Sequence, residues 1–196
     1  MSHSKILVVS GSLRPGSSNT QLAVLAARQL EAKGAAATLL DLGDYALPIY
    51  DARIQEAGIP ASAAALHEQF VTHDAVFVTT PEYNAFPSPL LLNALDWVSR
   101  VKHSEGGTAA AFGRSPFAIG AASPGGFGGY RGAVALRQKL ELGLGAHVLP
   151  TMVCVAHAYQ AFDEDGNFLA KQNSDLLAKV TADLVIAAAR TMPLAA

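Results

Sequence analysis

Short apolar runs of β type alternate with helical patterns along this chain, and no other feature narrows its possible folds as far. That alternation is how a parallel sheet enclosed between helices appears in sequence. Five runs read as strands, over residues 5–10, 36–41, 74–80, 115–122 and 146–155. Their near-continuous apolar character predicts a sheet covered on both faces. Between them, Leu22, Leu25, Ala26 and Leu30 mark one helix face, and Leu66 with Phe70 marks a shorter one. Leu91, Leu92, Leu95 and Val98 share a face over residues 89–100. Ala133, Leu136 and Leu140 belong to a helix that stops at Gly143 and Gly145, and Leu176, Leu177, Val180, Leu184 and Ala187 define the last. The expected architecture is α/β: a doubly wound, five-stranded parallel sheet with helices on both faces, formed by residues 1–196 as one domain.

Composition agrees with one core and removes several function classes. A chain of 196 residues that is 51% hydrophobic is long enough for one large core and short for two α/β domains. Its formal charge is -2 and it has no long basic run, so it lacks the electrostatic footprint of a nucleic-acid binder. No apolar run approaches membrane-spanning length, and the polar start leads into Ile6 without signal-peptide architecture. Cys154 is the single cysteine, which excludes an internal disulfide and a cysteine-built metal cage; a reducing, cytoplasmic setting is expected. Two stretches stand outside the alternation, residues 42–60 and residues 156–173, and Asp165-Gly166 between Phe162 and Phe168 reads as a small hairpin in the second.

In an open parallel sheet the loops after the strands emerge at one edge, where ligands bind. The loops after strands one, three and four are the most unusual stretches here. The first, Gly11-Ser12-Leu13-Arg14-Pro15-Gly16-Ser17-Ser18-Asn19-Thr20, is neither a dinucleotide fingerprint, since Leu13 stands where glycine is needed, nor a Walker loop. Its hydroxyls, guanidinium and helix-start amides suit a phosphate monoester. The plain alternative is a helix capped by Ser17, Ser18 or Asn19. The second loop runs from Pro81 through Glu82, Tyr83, Asn84, Ala85 and Phe86 to Pro89. Its three prolines stiffen a backbone that offers amides and an aromatic plane to a heterocycle; the alternative is a proline-rich helix entry. The third loop, Ser123-Pro124-Gly125-Gly126-Phe127-Gly128-Gly129-Tyr130-Arg131-Gly132, is not a dinucleotide motif, since Arg131 stands where its third glycine is needed, and reads either as a flexible turn or as close backbone approach to a flat ligand.

Taken together, Gly11-Ser12 with Arg14, Gly16, Ser17 and Asn19, then Pro81-Glu82-Tyr83-Asn84 with Asn93 to Trp97, then Ser123 to Gly126, resemble the NADPH-dependent FMN reductase family. That family includes enzymes described as chromate, quinone and azo-dye reductases. The resemblance runs from the first strand to the fifth and implies a flavodoxin-like fold with FMN and NADPH, or NADH, as cofactors. It implies that Ser12, Arg14, Ser17, Ser18, Asn19 and Thr20 hold the FMN phosphate. Pro81, Glu82, Tyr83, Asn84 and Ala85 would flank the isoalloxazine, and Ser123, Pro124, Gly125 and Gly126 would close over the ribityl chain and ring edge. It further implies a homodimer or homotetramer, with the helix carrying Asp96 and Trp97 near the subunit contact, and a small-molecule electron acceptor; for Trp97 the alternative is ordinary core packing. The chain departs from the common pattern at Ala85 and Phe86, where glycine and serine are frequent, and at Leu92, where many relatives carry lysine.

Such chemistry belongs to the cofactor and requires no acid-base residue. The 6 histidines show no metal-ligand spacing; His157, at the end of the fifth strand, reads either as a residue edging the site or, preferred, as an incidental surface histidine. Two rivals stand beside this reading. One is an FMN-binding electron carrier or regulatory module without nicotinamide turnover; the other is an α/β hydrolase-type enzyme using Ser12.

Overall fold

The computed structural model describes residues 3–102 and 110–191. Its centre is a parallel sheet of β1 (Lys5–Ser10), β2 (Ala36–Leu40), β3 (Ala75–Thr80), β6 (Pro116–Ala122), β7 (His147–Val148) and β8 (Val153–Val155). The order is β2-β1-β3-β6-β7, with β8 also on β6, and every pairing is parallel. A two-stranded antiparallel ribbon, β4 (Glu82–Tyr83) and β5 (Phe86–Pro87), stands apart at the strand-end edge. This is the doubly wound parallel sheet the alternation predicts, in the flavodoxin-like strand order that the resemblance implies.

The helices are α1 (Ser18–Ala32), α2 (Ala52–Ala57), α3 (Ala61–Val71), α4 (Pro89–Val98), α5 (Ala110–Gly113), α6 (Tyr130–Gln138) and α7 (Lys171–Thr191). Alternation along the strands divides the interior in two, because successive side chains point to opposite faces. Ile6, Val8, Phe77 and Ala118 meet Leu22, Leu30, Leu177 and Leu184 of α1 and α7. Leu7, Val9, Val76, Val78, Phe117 and Ile119 meet Leu66, Leu91, Leu95 and Leu136 of α3, α4 and α6. Leu92, expected on the buried face of α4, is only half-buried, while Trp97 is fully buried. The Trp97 Nε1–H donates to Pro48 O at 2.7 Å, and the indole meets Tyr50 edge-on at 5.2 Å, so the ring anchors the 42–60 stretch to α4.

Two further expectations change. The fifth strand is interrupted: Val148 opposes Phe117 and Val153 opposes Gly120, so five steps on the edge cover three on β6. Pro150 lies in the excursion and has no N–H to give the ladder. β2 is not covered on both faces, since only Leu40 of its residues is buried and Leu39 is 47% exposed, as an edge position allows. The 42–60 stretch contains a 3-10 turn, Leu42–Asp44, and α2, each opened by an aspartate that accepts a backbone N–H two residues on. The small hairpin appears as expected, with Phe162 and Phe168 bridged and their rings stacked at 4.9 Å. Among the described residues, no helix is long and apolar enough to cross a membrane.

Candidate functional site

The loop after β1 is held tightly from below. Gly11 N–H donates to Thr79 O at 2.8 Å, and Gly11 O accepts the Ser88 hydroxyl at 2.6 Å. A Cβ on Gly11 would stand 2.9 Å from Thr79 O, which is why this position carries no side chain. Ser17 caps α1, its Oγ accepting from Asn19 N–H at 3.2 Å. The capping alternative is therefore realised, and it leaves donors over. Among the described residues the Ser18 and Thr20 N–H groups have no acceptor. The Ser12 hydroxyl accepts Arg14 N–H at 3.3 Å and keeps its own proton to donate. Free amides at the start of a 15-residue helix, hydroxyls and a guanidinium on one loop are the chemistry that suits an anion.

Asn19 and Thr20 sit differently from the other predicted phosphate residues. The Asn19 carboxamide is 3% exposed, donates to Ala122 O and accepts Ala122 N–H, both at 2.9 Å. Its side chain thus ties the first loop to the end of β6. The Thr20 hydroxyl meets Ser10 Oγ at 3.0 Å and donates to Ser12 O at 3.4 Å, bracing the loop from behind. Thr20 faces a second hollow of about 290 Å³, on the β2 side of the loop with Leu39 and Asp41.

After β3 the chain makes the tight β4–β5 hairpin. Asn84 and Ala85 are its two turn residues, with φ of 53° and 66°. Both lie in the left-handed region that a two-residue hairpin requires, where asparagine is tolerated and alanine is strained. Pro87 is buried, Ser88 caps α4 by accepting Leu91 N–H at 3.2 Å, and the hairpin leaves Tyr83 50% and Phe86 60% exposed.

The glycine-rich loop divides into two pairs with different reasons to be glycine. Gly128 and Gly129 have φ of 61° and 80°, and a Cβ on them would stand 2.8 Å from Ala156 N and from Ala121 Cβ respectively. They pack the loop against the protein's own sheet end. Gly126 faces open space, and a Cβ on Gly125 would meet only Ser123 Oγ, at an ordinary 3.8 Å. Beyond them Arg131, at the start of α6, forms an ion pair with Glu82, whose other oxygen accepts Gly132 N–H at 3.2 Å. Burial alone would raise the Glu82 carboxyl, but the Arg131 hydrogen bond, the Gly132 N–H and the guanidinium charge hold it below the usual carboxylate range. Behind this pair, burial pushes the Cys154 thiol up to about 11, with the Glu82 charge adding to the effect.

The three loops converge on one cleft of about 200 Å³. Ser12, Arg14, Ser17, Ser18, Asn19, Pro81, Glu82, Tyr83, Ser123 and Pro124 line it. Thr20, Asn84, Ala85, Gly125 and Gly126 lie outside that lining, the last four next in chain to its Tyr83 and Pro124. Its one acidic lining residue, Glu82, is already paired with Arg131, so a dianionic phosphate and a flat ring meet no unbalanced carboxylate. Residues of FMN-binding character thus fit the group the loops suggest.

Sequence reasoning missed Ala122 and Tyr159 of the lining, and the buried hydroxyls that join the loops. Thr79 donates to Asn19 O at 2.9 Å, and Thr80 Oγ1 accepts Ser88 N–H at 3.1 Å. Two threonines closing an otherwise apolar strand were the available signal. Tyr159 follows the interrupted fifth strand, so the same strand-end rule that selected the other three loops applies to its loop.

The family model described as NADPH-dependent FMN reductase matches residues 4–160. The chain is 35% identical to an NAD(P)H-dependent FMN reductase of Pseudomonas aeruginosa, covering 88% of this chain and 89% of that one. It is 36% identical to a quinone reductase of Escherichia coli over 69% of each. Among solved structures, the flavoenzyme NAD(P)H:(acceptor) oxidoreductase FerB from Paracoccus denitrificans superposes with a TM-score of 0.79 at 27% identity, covering 96% of this chain and 98% of that one.

Proposed function

Since the chain belongs to the NADPH-dependent FMN reductase family, we propose that it holds FMN across this cleft and uses NADPH or NADH to reduce a small acceptor of quinone type. FMN-dependent oxidoreductase chemistry comes with the family. The observation that carries the finer reading is the convergence of the α1 start, Arg14 and the Tyr83 hairpin on one cleft.

When bound, FMN supplies the hydride-accepting ring and passes reducing equivalents onward. The chain's residues bind and orient. Arg14, the hydroxyls of Ser12, Ser17 and Ser18 and the free amide of Ser18 would receive the phosphate. Pro81 and Tyr83 would lie along the ring and keep water from that side, while Asn84, Ala85, Gly125 and Gly126, next in chain to Tyr83 and Pro124, would border the approach of nicotinamide and acceptor. Glu82, fixed as an anion by Arg131, holds the hairpin at its working distance from α6. Asn19 and Thr20 act by shaping the loop. The exposed rings of Phe86, Phe127 and Tyr130 beside the mouth support assembly into a homodimer or homotetramer.

The test is direct. Protein purified with FMN and freed of excess by gel filtration should stay yellow and should oxidise NADPH or NADH steadily when a benzoquinone is supplied. A colourless product, or a yellow one without nucleotide turnover, overturns the reading; the second outcome is that of an electron carrier.

A further inference from the structure

We infer that Tyr159 is a positioning residue that holds the Arg14 guanidinium over the phosphate end of the cleft. This inference rests on the FMN reading above. Tyr159 lies in a fourth loop, after β8, and lines the same cleft as Arg14. The Arg14 guanidinium carbon is 5.9 Å from the centre of the Tyr159 ring, within the range of a cation–π contact. Among the described residues no carboxylate pairs with Arg14 and its guanidinium makes no hydrogen bond. The tyrosine ring is therefore what limits the rotamers of a long side chain on an exposed loop.

The fourth loop is built to present that ring. His157 takes a left-handed φ of 49°, which turns the chain back toward the glycine-rich loop. Its N–H donates to Gly125 O at 3.4 Å, and Ala158 N–H donates to Ser123 O at 3.1 Å. Gln160 N–H closes the turn on His157 O at 2.9 Å. Ala158 is 2% exposed and acts as the anchor, while Tyr159 is 69% exposed and reaches toward Arg14. The loop is thereby fixed at two points to residues that border the cofactor cleft. An arginine held in place loses less freedom when phosphate arrives, and that difference appears as affinity.

The experiment compares FMN with riboflavin, which lacks the phosphate, by fluorescence titration of the apoprotein. Tyr159→Ala should weaken FMN roughly three- to tenfold, the scale of a cation–π contact at a partly exposed site. Tyr159→Phe should keep wild-type affinity, because the ring remains. Riboflavin affinity should be the same in all three proteins, and Tyr159→Ala should have no added effect in an Arg14→Ala background. Unchanged FMN affinity in Tyr159→Ala overturns the inference. So does equal weakening of FMN and riboflavin, which would place the ring against the flavin, and so does a loss in Tyr159→Phe, which would assign the effect to the hydroxyl. Wild-type protein that binds FMN no better than riboflavin overturns the phosphate site itself.

Discussion

Replacing Glu82 with glutamine removes one charge from a contact that joins the hairpin to α6 at the edge of the cleft. The Glu82 side chain is 7% exposed and that of Arg131 57%. At about 4 Å and an effective dielectric near 20, the gross attraction is about 4 kcal/mol, but the exposed guanidinium is screened by water, and an exposed pair retains at most about 1 kcal/mol. The N–H···O bond from Gly132 to a carboxylate contributes about 1.5 to 3 kcal/mol, of which a neutral amide acceptor retains about 1. Glu82→Gln should therefore cost about 2 kcal/mol, or roughly 4 to 8 °C in melting temperature for a chain of this size. Arg131→Met should cost more, about 3 kcal/mol, because it leaves a shielded carboxylate without its counter-charge. The double variant should lose clearly less than the sum. Because Glu82 titrates below its ordinary value of 4.5 in the folded chain, its contribution is complete above that pH and is lost as pH falls through the depressed value. Urea titrations of all four proteins at neutral and acid pH measure both terms. Additive costs within about 0.5 kcal/mol would falsify the clasp.

Three further outcomes follow from residues on the same framework. Ala85→Gly should stabilise the protein by about 1 kcal/mol, because glycine occupies a φ of 66° without the Cβ penalty; a decrease in the urea midpoint would contradict the strain argument. His73 is held below its ordinary 6.5 mainly by burial, with Lys5 adding, against its contact with Gln69 O. The unfolded chain thus takes up the proton first, so stability should fall as pH drops below about 6.5, and His73→Gln should flatten that slope; equal slopes would reject it. Cys154, pushed up to about 11, should resist iodoacetamide at pH 8 in the folded protein and react after unfolding, and its contribution to stability should decline as pH rises from about 9 toward 11. Rapid labelling of the native thiol would refute the shielding.

The fold was legible because its signal is repeated: runs such as Ile6 to Val9 and faces such as Leu22, Leu25 and Leu30 each specify one element, and their order specifies the winding. The site was legible in part for the same reason, since strand ends are where loops of odd composition collect. What escaped depends on tertiary partners. Asn19 reads as a ligand residue from its neighbours Ser17 and Ser18, yet its amide is matched to the backbone of Ala122, more than a hundred positions away. Arg131 carries no hint in sequence that Glu82 is its partner. Gly128 and Gly129 are indistinguishable by composition from Gly125 and Gly126, and only contact with Ala156 and Ala121 separates packing glycines from open ones. The interruption of the fifth strand was signalled by Pro150 alone.

That interruption affects how copies of this protein meet. A continuous outer strand would display a row of unsatisfied amides and carbonyls, a template on which a neighbouring molecule could add its own strand. Here the row is cut by the excursion through Pro150, so neither short piece is long enough to recruit a foreign segment in register. On that flank, strand addition is thereby disfavoured, and any contact made there falls to side-chain surfaces rather than to backbone pairing.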